Sequence, residues 1–298
     1  MCISVIIPTF NYGRFICNAV DSVLAQTLSP LEVIVVDDGS IDDTQQKLAG
    51  YGSRIHYVYQ KNRGVNAARN LGIQLSRGDW IAILDSDDAW HPQKLERQLI
   101  IHKLFPDIVA SSTTGTAYPG SGSLPVPTVT YSGTPQLQRM SLQDLLYGIH
   151  FSGGSGALIK RECFKIVGNF DELLRGAEDL EMWCRIANQF TIARLLEPLT
   201  VVRSHPASVS SQAEKMERYH RVALKRLFLG LPHLQYRWLW RRIVLARMHR
   251  GVAGMHFEAH NRFGALLSLC RSCLACPITS GHGRCLVRLR MMVRYLLP

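Results

Sequence analysis

The strongest constraint on the fold is a change of period that recurs through the first hundred residues. Ile3–Ile7 is a short β-rich run, and Phe15–Thr27 follows with Ile16, Val20, Val23 and Leu24 at helical spacing. Glu32–Val36 is a second apolar run, followed by a polar helical segment from Asp42 to Leu48. Ile55–Tyr59 and Trp80–Leu84 read as further strands, followed by helices over Asn66–Leu75 and Pro92–Leu104. Strands that alternate with helices need crossover connections, which predict an α/β fold with a mostly parallel sheet and helices on both faces. Open sheets of this kind take ligands beyond the carboxyl ends of their strands.

Those ends are polar and acidic. They read Pro8-Thr9-Phe10-Asn11, Asp37-Asp38-Gly39-Ser40 and Asp85-Ser86-Asp87-Asp88. Acids this close repel one another unless a positive charge sits among them. Asp85 and Asp87, two residues apart at a strand end, can both turn toward a hard divalent cation whose shell a substrate phosphate completes. The same residues also suit a solvated turn in which Asp88 caps the Pro92 helix. A second acidic pair, Glu178-Asp179, opens the helical stretch Leu180–Ala187, where Asp179 suits either an N-cap or acid–base chemistry.

Beyond residue 112 the pattern loosens. Gly115–Pro135 is rich in Gly, Pro, Ser and Thr and reads as a loop. A helix near Leu142–Tyr147, a strand near Ala157–Ile159 and a helix near Asp179–Asn188 follow. After Ser211 the chain reads as helical and basic. From Lys215 to Pro298 there are 16 Lys/Arg against Glu217 and Glu258, a net of +14; the whole chain carries +11, which leaves −3 for the first 214 residues. Such asymmetry suits a polyanionic partner, either nucleic acid or an anionic membrane surface, or a solvated helical subdomain whose charge has no partner. Basic residues mixed with Trp, Leu, Phe and Met favour an anionic membrane surface over nucleic acid, so no nucleic acid is expected. No apolar run reaches 18 residues, which argues against a spanning helix. Met1 leads straight into the first strand without a signal-peptide pattern, so the expected location is cytoplasmic, peripheral on the inner face of the membrane, with the eight cysteines reduced.

The ordered set of motifs resembles the family 2 glycosyltransferases, inverting enzymes of the GT-A fold. The resemblance runs through Val5-Ile6-Ile7-Pro8-Thr9-Phe10-Asn11, Val35-Val36-Asp37-Asp38-Gly39-Ser40 and Asn62-Arg63-Gly64-Val65-Asn66-Ala67-Ala68-Arg69-Asn70. It continues through Leu84-Asp85-Ser86-Asp87-Asp88 and Gly168-Asn169-Phe170-Asp171-Glu172 to Glu178-Asp179. It implies a GT-A domain over residues 1–211, with a nucleotide-binding half at 1–112 and an acceptor half at 113–211. A basic α-helical region over 212–298 would follow. It further implies that Pro8, Thr9, Phe10, Asn11 and Asp38 hold the base and ribose of a nucleotide diphosphate sugar, UDP being the family's commonest nucleotide. Arg69, Asp85 and Ser86 would lie by the ribose and diphosphate. Asp87, with His205 nearby, would hold Mn²⁺ or Mg²⁺. Asp179 would be the general base that deprotonates a hydroxyl of a glycan or lipid-linked acceptor, and Glu178 would position that acceptor.

Three other motifs carry less. Gly153-Gly154-Ser155-Gly156 lacks the Lys-Ser/Thr ending of a P-loop and reads as a tight backbone passage beside the acceptor. Gln235-Tyr236-Arg237-Trp238 is one residue short of the Q-x-x-R-W signature of processive synthases. Cys270, Cys273, Cys276 and Cys285, with His282, have spacings that suit either a metal site or one apolar helix face. Two rival functions remain at this level. A nucleotidyltransferase would carry a Gly-rich basic loop after the first strand, where Pro8–Arg14 has one Gly and one Arg. A non-catalytic nucleotide- or glycan-binding protein would keep its function without Asp179.

Overall fold

The computed structural model describes residues 1–120, 122, 124, 129–148, 154–204, 213–276 and 291. They form two compact units, residues 1–141 with 154–204 and residues 142–148 with the described residues beyond 212.

The first unit begins as the alternation predicts. β1 (Ile3–Thr9) is buried along its whole length, as a central parallel strand covered on both faces must be. α1 (Gly13–Leu24) turns Phe15, Ile16, Ala19, Val20 and Val23 inward at helical spacing. There follow β2 (Glu32–Asp37), α2 (Thr44–Ala49), β3 (His56–Tyr59), α3 (Val65–Leu75), β4 (Trp80–Ile83), β5 (Ala89–Trp90) and α4 (Lys94–Leu104). β1, β2, β3 and β4 are parallel, in the order β3-β2-β1-β4. In that register Thr9 pairs with Asp37 and Ile6 with Ile83, so the three polar strand ends emerge on one edge.

The rest of the sheet is mixed. It comprises β6 (Ile108–Pro119), β7 (Leu137–Met140), β8 (Leu158–Lys160) and β9 (Thr191–Ser204), with α6 (Arg161–Val167) and α7 (Glu178–Ala187) between the last two strands. An α-helix over Leu142–Tyr147, α5, belongs to the other unit. The full order is β3-β2-β1-β4-β8-β6-β9-β5, with β7 also on β9; β8 runs antiparallel to β4 and β6. The parallel pairing therefore holds through the first four strands and returns between β6 and β9, with antiparallel β8 between them.

One expectation fails here. The expected loop begins at Gly115, yet Gly115–Pro119 is the end of β6, paired with Thr200–Ser204 of β9. Its side chains stay largely exposed, so backbone pairing with β9 rather than burial makes it a strand, and just before it Thr113 and Thr200 share a buried hydroxyl hydrogen bond of 2.8 Å. β9, which carries Pro198 opposite an irregularity in β6, gives no alternating signal.

The second unit is helical. α8 (Ala213–Leu229), α9 (Arg237–Glu258) and α10 (Arg262–Ala275) join α5. Ala253, Ala265 and Leu269 form one small apolar contact, and Tyr147 meets Trp240 edge-on at 4.6 Å. Among the described residues, no helix is long and apolar enough to cross a membrane.

Candidate active site

The site is built on the buried guanidinium of Arg69. Asn66, Arg69 and Asn70 lie at i, i+3 and i+4, one face of α3. Asn66 Nδ2 donates to the carbonyls of Asp171 (2.9 Å) and Leu174 (3.0 Å), and Asn70 exchanges two hydrogen bonds with the Phe170 backbone. These bonds pin the segment before α7 onto α3. Arg69, 3% exposed, then reaches two sequence-distant acidic groups. Its Nη2 lies 2.9 Å from Asp85 Oδ1, and its Nη1 lies 3.3 Å from Glu178 Oε1 and 3.4 Å from Asp179 Oδ1. Burial opposes its charge, but Asp85, Asp179 and Glu178 hold its proton more firmly than in free arginine. The end of β4 and the start of α7 thus meet on one cation.

The two acids of α7 differ. Glu178 Oε2 accepts from Gly176 N at 2.6 Å, so both of its oxygens are engaged. Asp179 is the more exposed, with 28% of its side chain accessible, and its Oδ2 accepts from Gly154 N at 3.0 Å. Neither caps the helix: the residue ahead is Ala177, in left-handed backbone at φ 60°. Burial pushes the Asp179 carboxyl up; Arg69 opposes this while Glu178 and Asp85 add to it, leaving a pKa of about 7. That value suits a general base near neutral pH.

At the end of β4, Asp88 is buried and does not cap α4, whose N-cap is Gln93. Its Oδ2 accepts from Ser155 Oγ at 2.5 Å and its Oδ1 from Arg203 N at 2.9 Å. The demands of the sheet thus override the expected cap. Burial, Asp87 and Asp85 push the Asp88 carboxyl well above the usual range, and burial with Asp87 raises the Tyr12 hydroxyl to about 12. This negative field, with Asp85 and Asp87 at its source, fits a divalent cation that takes one or two carboxylates and completes its shell with phosphate. Among the described residues, no three His, Cys, Asp or Glu form a protein-only metal cage. His205 lies outside the described residues.

The remaining expected ligand residues line the neighbouring strand ends. Pro8 and Thr9 are buried at the end of β1, and Thr9 Oγ1 has no hydrogen-bond partner. Phe10 is exposed, and Ser86 is buried. Asn11 adopts φ 56°, with its Oδ1 accepting from Ile41 N at 2.8 Å. Asp38 is buried: its Oδ1 accepts from Gln60 Nε2 (2.6 Å) and Arg63 N (2.9 Å), and its Oδ2 from Gly64 N (2.7 Å). It holds the turn that starts α3, where Gly64 sits at φ 98°.

Sequence reasoning missed Ser155 and Arg203. Ser155 was visible only as part of a Gly-rich passage. Arg203, in unread β9, stacks on Phe15 at 4.3 Å and donates from Nε to the Asp87 carbonyl at 3.1 Å. Cys270 is exposed on α10, Cys276 is buried in extended backbone just past its end, and Cys285 lies outside the described residues.

A family model described as glycosyl transferase family 2 matches residues 4–168. An uncharacterized glycosyltransferase of Rickettsia typhi is 33% identical over 221 residues, covering 73% of this chain and 69% of the relative. Among solved structures, residues 1–349 of S. aureus TarS match with a TM-score of 0.60 at 19% identity, covering 93% of this chain and 81% of that one. The same TarS fragment has been solved with UDP and with UDP-GlcNAc. The mannosyltransferase PcManGT of Pyrobaculum calidifontis, solved with GDP-Man and Mn²⁺, matches with a TM-score of 0.55 at 18% identity, covering 98% and 79%. The fold is therefore GT-A.

Proposed function

The chain belongs to glycosyl transferase family 2, and on that premise we propose that it moves one sugar, with inversion, from a UDP-sugar to a hydroxyl of a glycan or lipid-linked acceptor. The observation that carries this reading is the meeting of Asp85 and Asp179 on Arg69, which brings a diphosphate-side acid and a base to one buried cation. Pro8–Asn11 frame the base and ribose, with Phe10 as an exposed flat wall. Asp38 contributes by fixing the Arg63–Gly64 turn beside them. Arg69 and Gly154 N orient Asp179, which takes the proton from the acceptor hydroxyl as it attacks the anomeric carbon. Glu178 fixes the entry to α7 and so positions the acceptor side. Asp87 and His205 would hold Mn²⁺ or Mg²⁺, which when bound offsets the charge of the departing diphosphate.

The residue 1–211 and 212–298 division is retained as the functional one, with the helical region facing an anionic membrane surface. Trp238 is 65% exposed and shares a face of α9 with Arg241 and Arg242; on α10, Leu274 is 78% exposed. Arg242 Nε donates to the Ala275 carbonyl at 2.6 Å, which brings these groups to one end of the helix pair.

Calorimetric titration with UDP and GDP, with and without Mn²⁺, tests the donor site. Metal-dependent binding of UDP that Asp87→Ala weakens at least about 30-fold is expected, the cost of losing a charged ligand group. A folded protein that binds neither nucleotide would return the non-catalytic reading to the front.

A further inference from the structure

Both acidic ends of the site touch the same short turn. Gly154–Gly156 is a single buried turn of 3₁₀ helix between α5 and β8. Gly154 N donates to Asp179 Oδ2 at 3.0 Å. The next residue faces the other way: Ser155 Oγ accepts from Asp85 N at 3.1 Å and donates to Asp88 Oδ2 at 2.5 Å. One hydroxyl therefore closes the acidic turn from its first residue to its last. The turn is in turn fixed to the sheet: the Ser155 carbonyl accepts from Trp90 Nε1 at 2.6 Å, and the Gly156 carbonyl from Gln98 Nε2 at 3.1 Å. There is little slack. A Cβ built on Gly154 would stand 2.9 Å from Arg69 Nη2 and 3.4 Å from both Asp85 carboxylate oxygens.

We propose that Ser155 is a positioning residue that sets the acidic turn of β4 at a fixed distance from the general base, through two adjacent hydrogen bonds of one peptide segment. The inference rests on the transferase reading above. Its physical content is that Asp88 is spent on structure, so that Asp85 and Asp87 keep one geometry when the cation and diphosphate arrive. Without the hydroxyl, Asp88 Oδ2 loses its donor in a buried place beside two like charges, and the amide of Asp85 loses its acceptor. The acidic turn then relaxes toward solvent while Asp179, held by the Gly154 amide and Arg69, stays where it is.

The test compares the wild-type chain with Ser155→Ala and Ser155→Cys, the second keeping the shape with a weaker donor. The readouts are the half-saturating Mn²⁺ concentration for binding of UDP or GDP, whichever the wild type holds, and the rate of nucleotide release from the matching sugar donor. Both are taken per folded molecule, with folding checked by circular dichroism. A rise of about 10-fold or more in half-saturating Mn²⁺ and a kcat loss of about 10–100-fold are expected for Ala, the scale of a hydrogen bond to a charged group. Metal-free nucleotide affinity should be unchanged, and Cys should fall between Ala and Ser. If Ala fails to fold, a Cys variant that folds and shows the metal shift still supports the role. A merely structural serine would lower the folded fraction or the melting temperature and leave both readouts at wild-type values, which overturns the inference while the transferase reading stands. Wild-type protein that binds neither nucleotide overturns both.

Discussion

At the end of β2, Asp37 and Asp38 are almost wholly buried, and each of their carboxylate oxygens has a donor: Ser40 N and the Tyr57 hydroxyl for Asp37, Gln60, Arg63 N and Gly64 N for Asp38. At the end of β4 both oxygens of Asp88 have donors, Asp85 shares the Arg69 cation with Glu178 and Asp179, and burial together with the neighbouring acids raises the proton affinity of Asp88 and Tyr12. The two strand ends leave the same edge of one sheet with the same residue type. One spends its acids on shaping a loop. The other crowds three acids within four residues, Asp85, Asp87 and Asp88. Crowded acids raise one another's proton affinity, and an excess of this kind suits a cationic ligand.

The largest effect should come from the base that faces this excess. Asp179→Asn is expected to lower transfer by about 10²–10⁴-fold while leaving UDP affinity within about threefold, read by kcat and calorimetry on the same preparation. Its pH behaviour has a definite sign. The folded carboxyl binds its proton more tightly than the unfolded one, so its stabilising contribution is complete below the ordinary value of 3.8 and is lost as pH rises toward about 7. The wild type should therefore lose stability across that window, and the Asn variant should show a flatter curve and an equal or higher melting temperature at pH 8. In activity, the acid limb of kcat/KM should sit near 7 in the wild type. An Asn variant with wild-type turnover would remove Asp179 from the chemistry.

The β2 end should respond in the opposite currency. Asp38→Ala removes a buried acceptor of three hydrogen bonds and should cost about 2–4 kcal/mol in denaturant unfolding, with UDP affinity falling in parallel as the loop loosens. Should Asp38→Asn instead weaken UDP with no change in unfolding, the β2 acid contacts the ligand directly and the contrast between the strand ends collapses. The smallest effect is expected far from both. Replacing Arg241 and Arg242 by Gln should weaken co-sedimentation with phosphatidylserine vesicles by about 1 kcal/mol per charge, and leave UDP binding untouched. Equal binding to neutral and anionic vesicles would remove the electrostatic membrane reading.

The sequence was most informative where structure is local or repetitive. The first four strands and their helices were legible because each apolar run and each helical face is set by residues a few positions apart. The strand-end motifs were legible for the same reason, since a parallel sheet puts every carboxyl end on one edge. Arg69, an ordinary surface helix position by spacing alone, became the centre of the site only because α7 is folded back onto α3 through Asn66 and Asn70. β9 and the end of β6 were invisible because backbone pairing across more than eighty residues of chain makes them, and the largely exposed Gly115–Pro119 carries no alternating apolar signal.

What the sequence determined by itself is the alternating α/β frame, the acidic edge and the basic helical end, because period and charge are properties of neighbours along the chain. What only the tertiary structure decided is the division of labour among the acids. Asp38 and Asp88 are consumed by hydrogen bonds from distant backbone and side chains, and Asp179 is left partly open beside Arg69 with its pKa raised to about 7. Burial and partners fix a carboxylate's energy, and neither is set by the residues beside it in sequence.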